Sequence, residues 1–156
     1  MTDTDMTQAL GLAREIAAFA PTVQRIAEHL AAQRKVAVTD NRCAYQGAGG
    51  TMCAVGCLIP DELYESRMEG KAADEVLGEC PEILDAIGID SHLAVDVLGR
   101  FQRYHDFGTY TGHCGGEYRR YKARLDEFEG KPDAELAAAI TADLNAIVTK
   151  LWEEAQ

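Results

Sequence analysis

Leu136, Ile140, Leu144, Ile147 and Leu151 recur at three- and four-residue steps through the last element of the chain, Pro132 to about Glu154. That spacing lays one nearly continuous apolar seam along a helix, and such a seam must be covered by something. The chain has a second half-match to it. From Thr7, Leu10, Ala13, Ile16, Ala17 and Ala20 share a face, and Val23, Ile26, Ala27 and Leu30 resume the spacing to about Gln33. Pro21, between the two runs, predicts a break or kink. At 156 residues the chain suits one mostly helical domain, in which the C-terminal seam packs into the core. The C-terminal seam also offers a second use, as a homodimer contact.

Between these ends the pattern changes. "KVAVT", Lys35 to Thr39, is too short for a helix, and its valines favour a strand. "CAYQGAGGTMCAV" reads as a β-hairpin with arms Cys43–Tyr45 and Met52–Val55, turned by glycines that tolerate positive φ. No Gly-Lys-Ser/Thr follows, so the glycines are not a phosphate loop. Pro60, Asp61 and Glu62 suit a first helical turn, and "PDELYESR" is expected to be a short helix. "ADEVLG" and "PEILDAIG" predict two more, and Ser91 can cap "HLAVDVLGRFQRYHDF". "GTYTGHCGG" is a loop before "EYRRYKARLDEFEG", whose Tyr118, Tyr121, Leu125 and Phe128 again follow helical steps.

The expected fold is therefore mainly α with a small β-hairpin (α+β), a single compact domain over 1–156. Its parts are N-terminal helices over 7–33, the hairpin within 35–56, short helices within 60–88, and long helices at 91–106, 117–129 and 132–154.

The formal net charge of −11 is unevenly spread. Asp61 to Asp90 holds ten acids against Arg67 and Lys71, whereas Arg100 to Arg124 holds six bases against Asp106 and Glu117. An acidic chain repels nucleic acid and attracts basic partners, so direct nucleic-acid binding is not expected. Asp61, Glu62, Glu65, Glu69, Asp74 and Glu75 are the candidate partner-binding residues, aimed at a basic surface on another protein. No apolar run reaches the roughly 18 residues of a membrane span. "MTDTDMTQAL" has no basic n-region, so no secretory signal is expected and the cytoplasm is the default location.

Five cysteines cannot all pair within one chain, and in a reducing compartment they are thiols, metal ligands or small buried hydrophobes. Three readings of Arg42–Tyr64 stand side by side. In the first, Cys53 and Cys57 pack as hydrophobes, Gly56 permits close backbone approach, and neither cofactor nor catalytic group is present. In the second, Cys43, Cys53 and Cys57 bind zinc, with His105, His113 or Cys114 as fourth ligand. The C-x9-C-x3-C spacing lacks the C-x2–4-C knuckle of dedicated zinc modules. In the third, Cys53 or Cys57 is a nucleophile served by His105 and Asp106.

The same window resembles one in a group of small, uncharacterised accessory proteins of bacteriophages and prophages. Their "C-x-Y…G…C-A-x-G-C-L-I-P-D-x-x-Y" segment matches Cys43, Tyr45, Gly50, Cys53, Ala54, Gly56, Cys57, Leu58, Ile59, Pro60, Asp61 and Tyr64. A later "EG" matches Glu69–Gly70, and a helical "HD" matches His105–Asp106. The match covers about Arg42 to Asp106, and the chain departs from it after Phe107. The resemblance implies a phage-type accessory protein acting in the host cytoplasm, and it brings no activity with it. Joined to the charge, it leads to the expectation of a binder that modulates or inhibits a host complex, such as a nucleic-acid-handling or defence system.

Overall fold

The computed structural model of the protein describes residues 1–39, 42–105 and 115–156, with side chains left aside at 38–39, 42–43 and 115–119. Among the described residues there are six α-helices: α1 (Asp3–Gln33), α2 (Ala73–Glu79), α3 (Glu82–Ile87), α4 (Ala94–His105), α5 (Gly115–Glu127) and α6 (Asp133–Glu154).

α1 begins earlier than the apolar pattern announces because Thr2 and Asp5 form a reciprocal capping box. Thr2 Oγ1 accepts from the Asp5 amide at 3.1 Å, and Asp5 Oδ2 accepts from the Thr2 amide at 3.0 Å. The helix then runs unbroken through Pro21, so the expected break is absent. Pro21, Ala20 and Ala17 all lie on the exposed side, where water can take the carbonyl that proline leaves unbonded. Packing on the other side carries the helix through the proline. There Phe19, Val23, Ile26 and Leu30 are buried against the α6 seam of Leu136, Ile140 and Leu144.

α1 and α6 are antiparallel. Gly11 meets Trp152 at one end, and Arg34 meets Asp133 at the other. Arg34 closes α1 in the left-handed conformation, at φ 54°. Its guanidinium donates to Asp133 Oδ1 (3.1 Å) and to the carbonyls of Phe128 (3.0 Å) and Lys131 (2.6 Å). One side chain thus ties the end of α1 to the α5–α6 turn. α4 packs on α2, α5 and α6, with Phe101 edge-on to Phe19 at 6.4 Å. Each fully buried leucine or phenylalanine in this layer contributes about 1.5–3 kcal/mol. The seam is therefore interior, with Leu136, Ile140 and Leu144 fully buried within the chain.

The small β-hairpin of the expected α+β class is not formed, and the described residues make a helical domain. Among them, extended pairing is limited to a two-residue ladder, Val38–Thr39 against Arg42–Cys43, and one bridge between Gln46 and Met52. The reason lies in the backbone donors of the expected arms. The Tyr45 amide goes to Glu69 Oε1 (2.8 Å), the Met52 amide to Gln33 Oε1 (2.9 Å), and the Val55 amide to Gln102 Oε1 (3.0 Å). Two helix side chains, Gln33 and Gln102, and the loop carboxylate of Glu69 take the amide donors a cross-strand ladder would need. Gly56–Leu58 winds into a 3₁₀ turn instead.

The expected "PDELYESR" helix is also absent. Pro60 O accepts from the Leu63 and Tyr64 amides, Glu65 is extended, and a 3₁₀ turn follows at Ser66–Met68. Ser91 does cap as expected, accepting from the Leu93 amide at 3.1 Å while donating to Glu15 Oε2 at 2.6 Å.

Candidate functional site

The cysteine window is an irregular segment inside the helical core. Cys53, Ala54 and Val55 are fully buried, with Gly56, Cys57, Leu58 and Ile59 nearly so. Buried backbone outside helices needs partners, and four neighbouring helix side chains or carboxylates supply them. Gln33 Nε2 donates to Met52 O at 3.0 Å, and His29 Nε2 lies 2.9 Å from the same oxygen. Glu69 bridges the Tyr45 and Gln46 amides, at 2.8 and 3.1 Å, and accepts from the Tyr64 hydroxyl at 2.6 Å. Burial, and then this carboxylate, push the Tyr64 hydroxyl up to about 12. Gly56 is dictated by contact. A Cβ there would overlap the Tyr45 carbonyl oxygen and stand 2.8 Å from its carbon.

The thiols are satisfied locally. Cys53 Sγ accepts from the Gly56 amide, and Cys57 Sγ donates to Ala54 O, both at 3.1 Å. Burial, only partly offset by Arg25, pushes the Cys57 thiol up to about 12. Without a further charge partner to lower it, a thiol in that state is mostly protonated at neutral pH and a weak nucleophile. His105, fully buried at the end of α4, accepts from the Ala37 amide through Nε2 at 3.2 Å and lies against the Tyr121 ring. Among the described residues, no group of three or more His, Cys, Asp or Glu side chains is arranged to hold a metal. The Cys43 side chain, Asp106, His113 and Cys114 lie outside the described residues.

The six candidate acids divide into two kinds. Asp61, Glu62, Glu65, Asp74 and Glu75 are exposed, the first two in the turn after Pro60 and the last two in the first turn of α2. Glu65 pairs with Arg67. Glu69 faces inward as the clamp just described, so its role is architectural. Nearby, Lys71 grips Glu79 at 2.7 Å and holds its carboxyl below the usual range.

A charged cluster that the charge runs did not reveal fastens α4, α5 and α6. Asp143, 4% exposed, receives Arg124 and the Tyr104 hydroxyl, the latter at 2.8 Å. Burial and Asp143 push that hydroxyl far up, so it remains a donor. Its signal was present in the sequence: an acid falls one step from Leu144 inside an apolar seam, where only a paired carboxylate is tolerated.

These features define a helical domain with a buried, side-chain-stapled loop and an exposed acidic stretch from Asp61 through α3. Comparison with family models, curated proteins and solved structures finds no match.

Proposed function

We propose that the protein is a phage-type accessory protein that binds a host protein through its acidic surface and modulates or inhibits a nucleic-acid-handling or defence complex. One observation carries this reading: Asp61, Glu62, Asp74 and Glu75 are exposed, and no described side chain neutralises them. With ten acids against two bases between Asp61 and Asp90, that surface favours a cationic partner and raises its on-rate. The phage setting rests on the resemblance of the Cys43–Tyr64 window.

The test compares capture from host lysate on immobilised wild-type protein and on an Asp61→Lys, Glu62→Lys, Asp74→Lys, Glu75→Lys variant. Glu69 is left intact, because its replacement would loosen the fold. The expected result is one stoichiometric partner, released steeply with salt and lost on charge reversal. Identical capture by both proteins would sink the reading.

A further inference from the structure

Among the described residues, every exposed large hydrophobic side chain lies in the first ten positions: Met1, Met6 (50% exposed) and Leu10 (60%). Beside Leu10, where α1 meets the end of α6, an open groove of about 330 Å³ is lined by Thr7, Gly11, Arg14 and Trp152 among others. Gly11 makes the groove floor possible, since a Cβ there would stand 2.7 Å from the Trp152 ring. An apolar ridge and a groove with an aromatic wall thus adjoin on one patch. A patch that carries both knob and hole is self-complementary under a two-fold axis.

The charges on the same face specify how two copies would meet. Asp3 and Arg14 are eleven residues apart, which places them within about 20° on the helix and about 16 Å along it. Met6, Thr7 and Leu10 lie between them. Neither the Asp3 carboxylate nor the Arg14 guanidinium has a partner in the chain among the described residues. Opposite charges at the two ends of one helical face pair twice when a second copy lies antiparallel.

We infer that the N-terminal face of α1 binds a second copy of this chain. The two α1 helices run antiparallel, Leu10 of each copy seats over Thr7 at the mouth of the other's groove, and two reciprocal Asp3–Arg14 ion pairs flank the contact. The interface shares no residue with the acidic stretch, and it replaces the α6 seam as the self-association surface. Three helical turns per copy bury less than the roughly 1,200 Å² of a standard interface, so the dimer is concentration-dependent.

Sedimentation velocity on the full chain, from micromolar to millimolar concentration at fixed low salt, tests this. The wild type is expected to pass from monomer to dimer. Leu10→Glu should weaken the dimer by roughly tenfold or more, at unchanged helix content by circular dichroism. Asp3→Arg or Arg14→Asp alone should each weaken it by roughly tenfold, and the double swap should restore it. A wild type monomeric throughout, a dimer indifferent to Leu10→Glu, or a double swap no better than either single change would each overturn the inference.

Discussion

Arg124 holds Asp143 with two near-parallel hydrogen bonds, Nε to Oδ2 at 3.0 Å and Nη2 to Oδ1 at 3.1 Å. The pair joins α5 to α6, and the Tyr104 hydroxyl on Oδ2 brings in α4. Bidentate pairs of this kind are geometrically demanding, and they hold three helices in one register. Removing Arg124 strands the buried Asp143 charge, and removing Asp143 strands the buried Tyr104 hydroxyl, whereas removing all three together strands neither.

The first prediction follows from that asymmetry. Asp143→Leu alone should cost about 2–4 kcal/mol in urea unfolding, because Arg124 and the Tyr104 hydroxyl lose their acceptor. Adding Arg124→Leu and Tyr104→Phe should recover much of the loss. A triple variant no more stable than the single one would mean that the network contributes net stability of its own.

Gly56 has the same standing in the cysteine window. Gly56→Ala should cost about 3 kcal/mol or more, since the obstacle is the Tyr45 main chain and not a flexible side chain. Gly78, with open space around it, is the control and should tolerate alanine within about 1 kcal/mol. Equal melting temperatures for the two variants would show that the Gly56–Tyr45 approach is not what demands glycine.

The third prediction concerns alkali. The Cys57 thiol is raised from its ordinary 9.0 to about 12, and the Tyr64 hydroxyl from 10.0 to about 12. For both groups the fold prefers the protonated form. Their stabilisation is therefore complete below about pH 9 and is lost as pH rises towards 12. Urea midpoints should fall across this window, and less steeply in Cys57→Ala with Tyr64→Phe. In the native protein at about pH 8, iodoacetamide should leave Cys57 unmodified until denaturant is added. Rapid native alkylation would restore the thiol-enzyme reading.

What was legible beforehand was whatever repeats locally. The Leu136–Leu151 spacing gave α6, and the Val23–Leu30 spacing gave the buried half of α1. Ser91 announced the start of α4. The errors share one origin. Pro21 reads as a break because its cost is local, while the α6 packing that overrides it is not. The Met52–Val55 arm looked like a strand, but its amides are claimed by Gln33 and Gln102, the latter 47 residues away. Glu69 looked like one more surface acid, although its oxygens close a turn 24 residues upstream.

By itself, then, the sequence determined the long helices and the charge imbalance, since each depends on residue type and short-range spacing alone. Only the tertiary structure decided that the window winds into side-chain-stapled turns, that the α6 seam is interior, and that the N-terminal end of α1 is left with an open apolar face. Those outcomes depend on which distant groups reach a given amide or side chain, and spacing along the chain does not encode that reach.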